Sequence, residues 1–121
     1  MSSTFKQKYD FQLRRDESTK ILNKYPNRLP IIIERSKKCS LNEINKNKFL
    51  VPDDLTIGQF LMVIRKRIVL ENDESLFLFI NDTILPATSQ ILSSIYNEHK
   101  DEDGFLYITY CSENTFGNNK I

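Results

Sequence analysis

The sequence predicts an α+β domain in which one central helix crosses a mixed four-stranded sheet, with two more helices ahead of it. Three observations carry this. Runs rich in β-branched and aromatic residues occur at 29–35, 49–51, 76–80 and 105–110. Between the second and third runs, Ile57, Phe60, Leu61, Ile64 and Ile68 recur at helical spacing. The length of 121 residues, with 40% hydrophobic and only three Gly and four Pro, is enough for one buried core and too short for two.

The first segment, Phe5 to Lys24, is polar with sparse apolar points. Asp10 can cap a helix opening at Phe11 by accepting from first-turn amides. Phe11, Ser18, Ile21, Leu22 and Tyr25 lie along one helical stripe. Pro26 ends it, because the residue before a proline avoids helical angles. A shorter turn is expected around Phe5 to Tyr9. This stripe is too thin to make a core, so the helices are expected to lie on something larger. Residues 1–27 are read as a helical extension, 28–111 as the core and 112–121 as a C-terminal tail, all of one domain.

Leu29 to Arg35 reads as a strand; Pro30, with no amide to donate, belongs at its start or on an edge. After the polar loop Ser36 to Lys48, Phe49-Leu50-Val51 is a short strand ended by Pro52, and the two strands suggest a hairpin with a long loop. Thr56 and Gln59 have capping-box spacing and open a helix over 57–68. Val63 widens its apolar stripe beside Phe60, so the band is broader than one sheet face requires. Leu76 to Ile80 is a third strand, apolar on both faces, followed by the turn Asn81-Asp82-Thr83. Thr88 is expected to cap a short helix carrying Ile91, Leu92, Ile95 and Tyr96. Lys100 to Gly104 reads as an acidic loop and Phe105 to Tyr110 as the last strand, while Ser112 to Ile121 has no periodicity. Strand, strand, helix, strand, short helix, strand is the β-grasp order of ubiquitin-like folds.

The net charge of +1 conceals an asymmetry. Residues 1–52 carry twelve Lys and Arg against five Asp and Glu, whereas 53–121 carry five against eleven. A basic front half suggests an acidic partner. No apolar run approaches the ~20 residues needed to span a bilayer, and the N-terminus has no signal-peptide core. Cys39 and Cys111 lie far apart and form no CxxC, which fits a reduced, cytoplasmic protein.

Catalytic chemistry finds little support. The one histidine, His99, sits in a charged helix end and reads as a solvated side chain. Lys37 and Lys38 could lower the Cys39 thiol pKa, but pairing Cys39 with His99 would still lack an oriented base and an oxyanion site. Cys111, at a strand end, reads as a small buried apolar group. No phosphate-binding glycine motif, zinc spacing or EF-hand pattern is present, and the basic patch belongs to no recognisable nucleic-acid module. The enzyme class falls; no metal, cofactor or nucleic acid is expected.

Several stretches carry a family likeness. Lys48-Phe49-Leu50-Val51-Pro52, Asp54 to Phe60, Ile64-Arg65-Lys66-Arg67-Ile68, Asn81-Asp82-Thr83, Tyr96 to Tyr107 and Glu113-Asn114-Thr115-Phe116-Gly117 resemble the autophagy ubiquitin-like modifiers of the GABARAP and microtubule-associated light-chain type, with the tail most similar to the yeast type. The likeness runs from about Phe5 to Gly117. The turn Asn81 to Pro86 is one residue longer than the family's usual form, and Asn118-Asn119-Lys120-Ile121 follow the glycine, as in an unprocessed precursor.

The resemblance implies cleavage of the Gly117–Asn118 bond by a dedicated cysteine protease, with Phe116 leading into the cleft. It further implies activation by an E1-like enzyme, transfer to an E2-like enzyme and an amide between Gly117 and phosphatidylethanolamine. The protein would be cytoplasmic before lipidation. It would lie on the autophagosome membrane, and in the vacuole or lysosome, afterwards. It would recruit cargo receptors and autophagy proteins bearing aromatic-x-x-aliphatic motifs. Carried over residue by residue, the aromatic pocket would use Glu17, Ile21, Pro30, Ile32, Lys48, Leu50 and Phe105. The aliphatic pocket would use Phe49, Val51, Pro52, Leu55, Phe60, Val63 and Ile64, with Arg28, Lys46 and Arg67 meeting acidic flanks. Leu76, Phe77, Leu78, Phe79 and Ile80 would offer a second docking surface, unless their outer face is covered. The alternative function is an unconjugated ubiquitin-like adaptor in trafficking or cytoskeletal binding.

Overall fold

Arg28–Arg35 (β1), Lys48–Pro52 (β2), Phe77–Ile80 (β3) and Leu106–Cys111 (β4) form one sheet in the order β2-β1-β4-β3. The computed structural model describes residues 3–37, 39, 41, 43, 44, 46–68 and 75–112. β1 runs antiparallel to β2 and parallel to β4, and β3 runs antiparallel to β4. The sheet is therefore mixed, as expected, with the first and last strands paired at its centre. The parallel β1–β4 pair needs a crossover, which the helix Ile57–Arg65 (α3) provides.

Side chains alternate across this sheet. Leu29, Ile31 and Ile33 of β1 and Leu106, Ile108 and Tyr110 of β4 join the main core, with Ile57, Phe60 and Ile64 of α3 and Leu92, Ile95 and Tyr96 of the helix Leu92–His99 (α4). On the other face Ile32, Phe105 and Tyr107 make a smaller cluster with Phe5 and Ile21. Phe5 belongs to the helix Thr4–Lys8 (α1) and Ile21 to Phe11–Lys24 (α2), so the N-terminal helices cover the face that α3 leaves open.

The termini of α2 and α3 follow their expected caps. The Asp10 carboxylate accepts from Leu13 N–H at 3.0 Å. The capping box is complete: Thr56 Oγ1 accepts from Gln59 N–H at 3.1 Å, and Gln59 Oε1 accepts from Thr56 N–H at 2.9 Å. Each bond satisfies an amide that the helix start would strand.

Three expectations need correction. α3 ends at Arg65; Arg67 N–H donates to Ile64 O at 2.9 Å in a turn that still buries Ile68. Thr88 does not cap α4, whose N-cap is Ile91 without a side-chain bond. Instead Thr88 O accepts from Gly58 N–H at 2.9 Å and Gln90 O from Ile57 N–H at 2.8 Å, so this segment satisfies the amides at the start of α3. The α2 stripe is also narrower than its spacing suggests: Ser18 and Ile21 are buried, while Phe11 and Tyr25 stay exposed.

The turn after β3 places Asn81 at φ 53° and Asp82 at φ 64°. Two successive positive φ values are what a tight hairpin turn demands, and Asn and Asp tolerate them best among residues with a Cβ. The chain returns so that Ile80 and Ile84 exchange backbone bonds, Ile80 N–H to Ile84 O at 2.6 Å and Ile84 N–H to Ile80 O at 3.0 Å.

Candidate functional site

β2 is an edge strand, and its register determines what the edge presents. Asn47 O accepts from Ile33 N–H at 2.8 Å, and Asp53 N–H donates to Asn27 O at 3.1 Å. The alternation between them turns the backbone groups of Phe49 and Val51 toward β1 and those of Lys48 and Leu50 outward. Arg28 Nη1 already donates to the outward Leu50 O at 3.0 Å. The two faces of β2 differ as well. Leu50 packs on the small cluster under α2, whereas Phe49 and Val51 belong to the main core beside α3.

On the α2 side, the structure brings Ile21, Ile32, Leu50 and Phe105 together, with Pro30 buried on the same face of β1. Ile32 and Phe105 are fully buried and form a floor. Glu17 of α2 and Lys48 of β2 form an ion pair, with side chains 41% and 39% exposed. On the α3 side, Phe60 and Ile64 are fully buried in the main core, Phe49 and Val51 are buried, and Pro52 and Leu55 are half-buried. Val63 is 37% exposed and is the open member of the set.

The three expected cations divide between the ends of the strand. Lys46 Nζ and the Arg67 guanidinium both lie over the Phe49 ring, each 5.4 Å from its centroid. Arg28, opposite Pro52 in the register, sits at the other end. The third-strand set is mostly interior: Leu76, Leu78, Phe79 and Ile80 are buried and Phe77 is half-buried against the main core. Phe116, Gly117 and Asn118 lie outside the described residues. His99 is half-buried, with Nε2 3.8 Å from a Glu98 carboxylate oxygen.

One group of residues was missed. Asp103, read from the sequence as part of a solvated acidic loop, is 0% exposed. Its Oδ2 accepts from Arg14 Nη1 at 2.6 Å and from the Tyr107 hydroxyl at 2.5 Å, and its Oδ1 accepts from Phe105 N–H at 2.8 Å. Ser18 Oγ donates to Asp103 O at 2.5 Å. Burial and the facing Asp103 carboxylate push the Tyr107 phenol far above its ordinary range. Burial works against the Arg14 charge, but bonds with Tyr107 and Asp103 outweigh it and raise its pKa. Nearby, Lys6 Nζ pairs with Asp101 at 2.6 Å and lies 4.6 Å from the centroid of Tyr107. Burial alone would raise the Asp101 pKa; the Lys6 bond holds it below the usual carboxylate value. These contacts clamp α1 and α2 to the start of β4, so ion pairs and hydrogen bonds join apolar packing in holding the α2 wall of the site. The sequence signal was the turn glycine Gly104, at φ 91°, next to an Asp. Its partner Arg14, far off in α2, had no local mark.

A four-stranded mixed sheet crossed by one helix, carrying two helices on its other face, defines a ubiquitin-like protein with an N-terminal helical addition. The family model described as "Autophagy protein Atg8 ubiquitin like" matches residues 13–117. The chain is 55% identical to autophagy-related protein 8 of Saccharomyces cerevisiae (strain YJM789) over 117 residues, 97% of this chain and 99% of that one. It is 51% identical to autophagy-related protein 8e of Arabidopsis thaliana over 119 residues, 98% and 97% of the two chains. The crystal structure of Trypanosoma brucei ATG8 superposes with a TM-score of 0.88 at 45% identity, covering 97% of this chain and all of that one. The chain belongs to the Atg8 family of autophagy ubiquitin-like proteins. Among the described residues no helix is long and apolar enough to cross a membrane.

Proposed function

We propose that the chain is an autophagy modifier cleaved after Gly117, joined through that glycine to phosphatidylethanolamine, and able to recruit cargo receptors by adding their peptides to the β2 edge. The observation that carries the peptide reading is the pair of apolar surfaces on opposite faces of one edge strand. In an extended peptide, residues three apart point to opposite sides. An aromatic-x-x-aliphatic segment paired with β2 therefore directs its first anchor toward Ile21 and Leu50, above Ile32 and Phe105. Its last anchor turns toward Pro52, Leu55 and Val63, above Phe60 and Ile64. The outward backbone groups of Lys48 and Leu50 supply the ladder bonds.

Glu17 and Lys48 span the way to the aromatic surface. Both are well exposed, and such a pair is worth only about 0–1 kcal/mol, so an arriving aromatic ring can part it. Lys48 is then released to meet a peptide carboxylate. Lys46 and Arg67 at one end of the strand and Arg28 at the other draw in acidic flanks.

The covalent reading rests on family membership and on Gly117, whose missing Cβ leaves its carbonyl unhindered in a narrow enzyme channel. A chain ending at Gly117 would pass as a thioester from the E1-like to the E2-like enzyme and end as an amide with the lipid amine. Two acyl chains then supply the anchor, where one would be marginal. Two measurements test the proposal. Titration with an acidic aromatic-x-x-aliphatic peptide should shift the amide signals of Leu50 and Val63; signals unmoved near millimolar peptide reject the site. Incubation with the processing protease, the conjugation enzymes, ATP and phosphatidylethanolamine vesicles should give a lipid adduct that Gly117→Ala abolishes. An adduct formed equally by that variant rejects the conjugation reading.

A further inference from the structure

Cys39 and Cys111, far apart in the chain, meet at one end of the sheet. Both are reduced and buried, Cys39 at 9% and Cys111 at 2% exposure. The Cys39 sulfur accepts hydrogen bonds from the Cys111 thiol and from Ser112 N–H, the latter at 3.4 Å. The backbone holds the pair in place. Ser36 N–H donates to Tyr110 O at 3.0 Å, and Cys39 N–H donates to Ser36 O at 3.0 Å, so the loop leaving β1 is laid along the end of β4.

Two thiols packed only as small apolar groups would not need donors aimed at one of them. Here burial disfavours the charge on Cys39, yet the donors around its sulfur outweigh burial and lower its thiol pKa. The thiolate is the reactive form of cysteine, and Cys39 is also the more accessible of the two. We infer that Cys39 and Cys111 are a peroxide-responsive modification site that closes to an intramolecular disulfide, with Cys39 attacking and Cys111 resolving.

The oxidant is a hydroperoxide. The Cys39 thiolate attacks one peroxide oxygen, the O–O bond breaks, and Cys39 becomes a sulfenic acid while the departing hydroxide takes a proton to leave as water. The Cys111 sulfur then attacks the Cys39 sulfur. The S–S bond forms, the S–OH bond breaks, and the Cys111 proton leaves with that hydroxyl as a second water. Two thiols lose two electrons and two protons, and the peroxide gains them. The product ties the loop between β1 and β2 to the last residue of β4, a cross-link over more than half the chain.

The test uses the full chain treated with hydrogen peroxide, then alkylated in denaturant and measured by intact mass and non-reducing peptide mapping. The expected product is a monomer about 2 Da lighter, unalkylated, with Cys39 and Cys111 peptides joined. Dithiothreitol should restore both alkylations. The thermal midpoint should rise by roughly 5–10 °C on oxidation and fall back on reduction. In Cys111→Ser, peroxide should leave Cys39 as a sulfenic acid trapped by dimedone. In Cys39→Ser, Cys111 should survive the same dose. Wild-type protein that keeps both thiols alkylatable, forms only intermolecular dimers, or carries Cys39 on to the sulfinic acid with Cys111 still alkylatable overturns the inference.

Discussion

Replacing Asp103 by Ala removes a carboxylate that receives three donors and strands the most demanding of them. The Arg14 side chain is only 10% exposed and faces Asp103 at 2.6 Å, while the Tyr107 hydroxyl and Phe105 N–H lose their acceptor as well. Breaking a buried pair by removing one partner costs about 3–5 kcal/mol, because the remaining charge stays desolvated. A domain of this size has only about 5–15 kcal/mol in total. With a urea dependence near 1.5 kcal/mol per molar, the unfolding midpoint should fall by about 2–3 M. Removing the stranded cation too should recover part of the loss, so Arg14→Met with Asp103→Ala should be more stable than Asp103→Ala alone. Urea unfolding followed by circular dichroism measures both. A midpoint shift under about 0.5 M for the single variant, or a double variant whose loss equals the sum of the two singles, refutes the clamp as an energetic unit.

Other outcomes follow from the same geometry. Gly104→Ala forces a Cβ at φ 91° and drives it into the Ser18 hydroxyl, so the thermal midpoint should drop by about 4–10 °C in calorimetry; a drop under about 2 °C contradicts this. Asp101 has a folded pKa held below its ordinary 3.8, so its contribution to stability is full above that value and lost as pH falls through the lower folded one. Lys6→Met should move the Asp101 carboxyl titration upward in carbon-detected NMR, and an unmoved titration would disconnect the pair. Val63→Ser should weaken an aromatic-x-x-aliphatic peptide roughly threefold to tenfold in calorimetric titration with little change in melting, since Val63 is open in the free protein. Unchanged affinity would remove Val63 from the site.

Local signals were legible wherever the cause was local. The β-branched run at 29–35 and the i, i+3, i+4 stripe from Ile57 gave β1 and α3, and Asp10 and Thr56 marked helix starts that their own side chains cap. The failures arose where distant partners decide. Thr88 looked like a cap because Ser and Thr often are, but its backbone oxygen is engaged by Gly58 across the fold. Asp101-Glu102-Asp103 looked like one solvated run, yet Arg14, Tyr107 and Ser18 take Asp103 into the interior. The same holds for the site. The short run 48–51, flanked by Lys46 and ended by Pro52, already read as a sheet edge, and the sheet order bears this out; what the order of residues left open was the packing that sends Leu50 to α2 and Phe49 to α3. Cys39 and Cys111 carried no spacing motif, because the contact between them is made by the closing of β1 against β4.

The hydrogen bonds between Ile80 and Ile84 bear on how copies of the chain can assemble. A sheet with two open edges can pair head to tail and grow without limit. Here the β3 edge is four residues long, and one of its two outward-facing residues, Ile80, already has both backbone groups engaged by its own chain. At β3 only Leu78 then keeps outward backbone groups, whereas at β2 both Lys48 and Leu50 turn theirs outward. Copies gathered on a membrane by the proposed lipid anchor would thus meet with one of their two sheet edges partly closed. Among the described residues, β2 is therefore the edge with more backbone left to pair, and an occupant of β2 removes it from pairing between copies.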